Sequence, residues 1–177
     1  YVKFLLFICQ TSLYCRAVTT MMGADSLMRL FLLWSLFVPL NRYWSVDSAL
    51  RRGPRDVAVP PVCIAGIKMQ IVMLYFFSGM FKVFGPDWWN GNAVGLAMRD
   101  TNNGSQLGQW LGVTLPWISP LVSMPVMVFQ LSFSALVYSP FYNNITRGVA
   151  LMGAVAMHTA FIFLLSVGLF PQVCLSY

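Results

Sequence analysis

Apolar runs of similar length, broken by short clusters of Pro, Gly and Arg, set the pattern of this chain. A helix that crosses about 30 Å of hydrocarbon, rising about 1.5 Å per residue, needs roughly 20 apolar residues. Five segments meet or approach that length. The first, near 1–16, contains the run Phe4 to Cys9 and reads as a span cut short. No A-x-A-like cleavage site follows it, which argues against a signal peptide. The second, near 25–43, is apolar from Ser26 to Leu40 except for Arg29. Asp25 is placed to cap its start, and Pro39 lies near its end, where a break costs least. The third, near 62–84, is bounded by Pro60-Pro61 and Gly85-Pro86, both strong breakers. The fourth, near 120–138, carries Pro125 in its first turns and stops at Ser139-Pro140; the fifth, near 147–170, is terminated by Pro171. Another apolar stretch starts at Val173, so both chain ends are expected to lie inside helices. The pattern predicts an all-α, multi-spanning transmembrane helix bundle of about five spans, forming a single domain over 1–177.

Composition strengthens this reading. Hydrophobic residues make up 58% of the chain and charged residues 9%, against about 25% charged in soluble domains. Too few charges remain to cover a water-facing surface. The net charge is +6, with no Glu at all. The cations are spread along the chain, mostly at span ends, which is how membrane proteins meet anionic lipid. They form no basic patch, so nucleic acid is not an expected partner. Arg51, Arg52 and Arg55 place the 46–61 loop inside by the positive-inside rule, and the 85–118 segment then lies outside. That segment holds Trp88, Trp89, Trp110 and Trp117, which suit either interfacial anchoring or binding. Four scattered cysteines without a CxxC pair, and a single His, offer no cluster of about four zinc ligands.

Ionisable groups within a bilayer are costly and mark candidate functional positions. Lys68, Tyr75 and Lys82 are seven residues apart and share one face of the third span. Ser78 and Gly79 beside Lys82 are small enough for close helix approach. Lys82 lies within about one turn of the span end, so it either snorkels to the interface or faces the bundle; Lys68 suits snorkelling. His158 is about halfway along the fifth span. It serves there either as an interhelical hydrogen bond or as a proton carrier. With no acidic pair, glycine-rich phosphate loop or GxSxG, proton chemistry would fall on Lys, His or Tyr.

Three stretches, taken together in order, carry a family resemblance. They are Asn41-Arg42-Tyr43-Trp44-Ser45-Val46-Asp47, then Tyr75 to Lys82 followed by Asp87-Trp88 and Gly91, then His158 through Ser166-Val167-Gly168-Leu169-Phe170. Over about residues 20–177 the chain resembles the vitamin K-dependent gamma-glutamyl carboxylase family. The membrane part of that family is the horizontally transferred transmembrane (HTTM) domain. The resemblance implies that Lys82 is the base acting on vitamin K hydroquinone or a related reduced quinone. Oxygen then turns the hydroquinone into a base strong enough to remove a γ-proton from Glu, and CO2 adds. It implies that His158 is the active-site histidine and that Arg42, Tyr43, Trp44, Tyr75 and Gly79 lie at the quinone site. It also implies a bacterial inner-membrane relative in contact with membrane lipid, acting on an exported Glu-containing peptide. The sequence departs from the animal enzyme at Arg42, where a histidine is expected, and at Phe81, where a second lysine is expected. A non-enzymatic lipid- or quinone-binding subunit is the alternative.

Overall fold

The computed structural model describes residues 2–16, 23–38, 46–50 and 60–175. All regular elements among them are helical, in two compact units, Tyr1–Gln70 and Ile71–Tyr177. Among the described residues, three helices are long and apolar enough to cross a membrane: Pro61–Val83, Ile118–Tyr138 and Asn143–Leu164. They fall within a few residues of the third, fourth and fifth expected spans, except at the C-terminal end of the fifth.

The first unit contains α1 (Val2–Arg16), α2 (Gly23–Ser35), the short α3 (Val46–Leu50) and the start of α4 (Pro61–Val83). Helices α1 and α2 run antiparallel. Lys3, at the start of α1, donates to the Ser35 and Val38 carbonyls at the end of α2, at 2.9 and 2.6 Å. A cation there satisfies orphan carbonyls and complements the helix dipole. At the other end, the Ser26 hydroxyl donates to the Tyr14 hydroxyl at 3.2 Å, and Arg29 lies 4.1 Å over the Tyr14 ring. Arg29, the one break in the second apolar run, is thus turned toward a partner. A side chain at Gly66 of α4 would sit 2.7 Å from the Trp34 ring, so glycine there sets the approach of that indole.

The second unit holds the rest of α4 and α5 (Pro86–Trp89), α6 (Ala93–Arg99), α7 (Gln106–Thr114), α8 (Ile118–Tyr138), α9 (Asn143–Leu164) and α10 (Phe170–Leu175). Its core joins Val72 and Tyr75 of α4 to Phe133 of α8 and to Ala150 and Met157 of α9. Helix α8 starts two residues earlier than expected and continues through Pro125.

The 85–118 segment folds as three short helices, and α8 supplies the cap that places one of them. Asn92, at the N-cap of α6, makes no side-chain cap. The first-turn N–H groups of Val94 and Gly95 donate instead to the Ser123 and Ser119 hydroxyls of α8, at 3.1 and 2.8 Å. Ser119 in turn donates to the Gly91 carbonyl at 2.7 Å. Gly91 has φ +75°, and a Cβ there would lie 2.7 Å from Pro120 Cα, so only glycine suits the turn. Helix ends must satisfy their orphan donors. Here that requirement fixes α6, with Ala97 and Met98, against the long helix.

The fifth span ends at Leu164, earlier than the expected Phe170. Ser105 takes up two of its last carbonyls: the backbone N–H donates to Leu164 at 3.1 Å and the hydroxyl to Phe163 at 2.6 Å. The chain then turns at Gly168, φ 62°, and Pro171 opens α10 instead of ending α9. Proline is well suited to a first helical turn, because its missing N–H would be unpaired there anyway.

Candidate functional site

Two cavities in the second unit meet around Lys82. The larger, about 470 Å³, has Trp88, Val126, Phe129, Ala160 and Phe161 among its walls, with Lys82 as its only charged group among the described residues. The smaller, about 140 Å³, is lined by Tyr75, Ser78, Lys82, Gln130 and His158, with apolar neighbours. Lys82, Met157 and Phe161 belong to both linings. Among the described residues, no carboxylate lines either one.

Lys82 is held inward. Its ammonium donates to the Ser78 hydroxyl at 2.9 Å and to the Ser78 carbonyl at 3.3 Å, one turn back on α4. It also lies 4.8 Å from the centre of the Trp88 ring, a cation–π contact that suits a partly desolvated cation. Trp88 therefore faces the site, whereas Trp110 and Trp117 are each 60% exposed, as interfacial anchors would be. Trp89, also exposed, donates from its indole to the Val83 carbonyl at 2.8 Å.

Tyr75 and His158 form the polar floor of the small chamber. The Tyr75 hydroxyl and His158 Nε2 are 2.9 Å apart, and both residues are buried. The Tyr75 ring stacks on Phe133, centroids 3.8 Å apart and planes within 13°. Phe161 and Phe170 stand edgewise to the imidazole, at 5.8 and 6.0 Å. Packing thus fixes both rings, and the hydrogen bond crosses from α4 to α9.

Gln130 completes the chamber from α8 and is 4% exposed. Its amide nitrogen donates to the Met157 sulfur at 3.6 Å. Among the described residues, Gln130 Oε1 and His158 Nδ1 make no hydrogen bond. Both residues line the chamber, but these two atoms are themselves closed off within the packing.

The family model of the HTTM domain matches residues 4–177. The chain belongs to the HTTM domain family. No solved structure matches it. With its three long apolar helices, this HTTM domain chain is a membrane protein.

Within the HTTM domain the structure draws together Lys82, Tyr75 and His158 of the third and fifth spans. Gly79 has a different setting. It is buried against α8, where an added Cβ would meet Leu131 Cγ at 2.9 Å, so it sets helix spacing beside the chamber. Lys68 is exposed. Arg42, Tyr43 and Trp44 lie outside the described residues. Gln130 and Ser78 were not selected as site residues from sequence. A lone Gln amid an apolar run was the available signal, since mid-membrane polar side chains generally seek partners.

Proposed function

We propose that this HTTM domain binds a reduced quinone and acts as a carboxylase-like oxygenation site, with Lys82 as its base. The observation that carries the reading is that Lys82 is the single charged group common to a large apolar cavity and a small polar chamber. An amphiphile with an aromatic, hydroxyl-bearing head and an apolar tail fits that division. The tail would lie along Val126, Phe129 and Ala160, and the head against Tyr75, His158 and Gln130.

When bound, a reduced quinone would supply, with oxygen, the strong base that carboxylation of Glu requires. The chain's own groups have separate tasks. Lys82 Nζ, as the neutral amine, takes a proton from a ring hydroxyl, and Ser78 and Trp88 hold the ammonium that results at the meeting of the two cavities. Tyr75 orients the imidazole of His158 through Nε2. Phe161 and Phe170 limit water around the ring. The proposed setting is a multi-pass protein of a bacterial inner membrane, with an exported Glu-containing peptide as acceptor.

The test is oxygen-dependent epoxidation of reduced vitamin K by the purified full-length protein, with and without Lys82→Ala. Epoxide formed by the wild type and lost in a folded Lys82→Ala variant supports the reading. Epoxide retained by the variant removes Lys82 from the role of base. Quinone affinity without epoxide from either protein supports a binding subunit, a reading favoured by the almost wholly apolar lining of the larger cavity.

A further inference from the structure

The larger cavity is long, apolar and charged at one end. Its hollow exists because α9 contributes only Gly153, Ala156 and Ala160 to part of the lining, three and four residues apart and so on one helix face. From Gly153 to Leu164, both in the lining, it follows α9 for roughly 16 Å at about 1.5 Å per residue. Its volume, about 470 Å³, is about three times the roughly 150 Å³ that accepts a benzene-sized ring, which is room for roughly a dozen and a half carbon atoms. Val122 and Pro125 of α8 and Ala156 and Ala160 of α9 line it and are exposed. Within this unit the cavity is therefore open between α8 and α9, among apolar side chains, a mouth suited to entry from hydrocarbon.

The charge lacks a counter-ion. Lys82 is the last residue but one of α4, beside Trp88 and the α6 residues Val94 and Ala97 in the lining. Its ammonium has three protons to donate. Among the described residues its hydrogen bonds go to Ser78, on its own helix, and its other neighbour is the Trp88 ring. No carboxylate among the described residues lines the cavity. Charges withdrawn from water are ordinarily paired.

We infer that this cavity binds a long-chain carboxylate, a free fatty acid taken from the membrane. The carboxylate pairs with Lys82 Nζ, and the chain runs past Ala160 and Ala156 toward Gly153. A phospholipid suits the cavity less, because its second chain exceeds the volume and phosphate is commonly met by the bidentate fork of arginine. The fatty acid takes the space assigned above to a quinone tail, so the two ligands exclude one another, but its binding does not rest on the quinone reading.

The experiment is scintillation-proximity binding of radiolabelled tetradecanoate to the full-length protein in phosphatidylcholine nanodiscs at mildly alkaline pH, with empty nanodiscs as the blank. Saturable binding is expected. Unlabelled 1-tetradecanol should displace the label roughly ten- to hundredfold less well than tetradecanoate, the range for a hydrogen bond to a charged group. Lys82→Met keeps the apolar stem and should weaken tetradecanoate by a similar factor. The double variant Ala156→Phe, Ala160→Phe crowds the hollow, leaves Lys82 in place and should remove saturable binding. The wild-type comparison needs no variant to fold. No saturable binding, or equal displacement by the alcohol, overturns the inference; the assay contains no quinone, so either result leaves the quinone reading standing. Equal displacement by tetradecyl phosphate overturns the choice of a carboxylate. Binding undiminished in a folded Lys82→Met or double variant places the site elsewhere and overturns the inference.

Discussion

Replacing Tyr75 with Phe deletes one oxygen atom from the buried floor of the chamber and leaves the stacked ring in place. The ring lies 3.8 Å from Phe133, so no cavity opens and the loss isolates the hydrogen bond to His158, 2.9 Å long. Side-chain hydrogen bonds between membrane helices are worth about 0.6 kcal/mol on average and up to about 1.7. A buried group left unpaired costs about 1–3 kcal/mol. With Nδ1 already unpartnered, Tyr75→Phe leaves the imidazole without any hydrogen bond, and a loss of about 1–2 kcal/mol is expected. For a chain of this length that corresponds to roughly 2–8 °C in thermal midpoint. The assay is thermal unfolding of the detergent-solubilised protein in a double-mutant cycle, with Tyr75→Phe, His158→Phe and the pair. A coupling of about 0.6–1.7 kcal/mol is expected. Additivity within about 0.3–0.5 kcal/mol, the range seen for independent sites, would refute the argument that this bond ties α4 to α9.

Ser119→Ala removes the acceptor for the Gly95 N–H and should cost about 1 kcal/mol, as loss of a helix cap does; hydrogen exchange of the 93–99 amides should accelerate more than exchange in α9. Asp100 accepts from the Asn102 backbone N–H at 3.0 Å and from the Asn103 side chain, and these bonds, the backbone one first, hold its carboxyl below the usual carboxylate range. Its contribution is therefore present above the unfolded Asp value of about 3.9 and lost as pH falls through the lower folded value. Thermal midpoints of wild type and Asp100→Asn should differ at pH 7 and converge in strong acid; a gap that widens on acidification would contradict this sign.

The long helices were legible because a span is a local property. In lipid each segment must satisfy its own backbone hydrogen bonds, so length and hydropathy identified Pro61–Val83 and Ile118–Tyr138 almost to their ends. The segment 85–118 was less legible. Its helices are stabilised by groups distant in sequence, such as Ser119 and Ser123 on the N–H groups of α6. No pattern within Ala93–Arg99 announces that cap. The end of α9 was obscured for the same reason: Leu164 is capped by Ser105, far upstream. Candidate chemistry followed a similar division. Lys82, Tyr75 and His158 stood out as rare polar groups in apolar helices. The seven-residue spacing that grouped Lys68 with Lys82 says nothing of what packs beside each one. Lys68 is exposed, and Lys82 is flanked by Ser78 and Trp88.

The amino-acid sequence by itself determined an all-helical membrane protein of the HTTM domain family and the scarce polar groups eligible for chemistry. Those properties reside in single segments, where apolar length, breakers and motifs are read directly. Only the tertiary structure decided that Lys82 stands where an apolar cavity adjoins a polar one, that Gln130 joins Tyr75 and His158, and that Gly79 serves α8. Such choices depend on the rotation and depth of one helix against another. Those are set by ring stacking, helix caps and close glycine contacts between residues that hydropathy alone leaves equivalent.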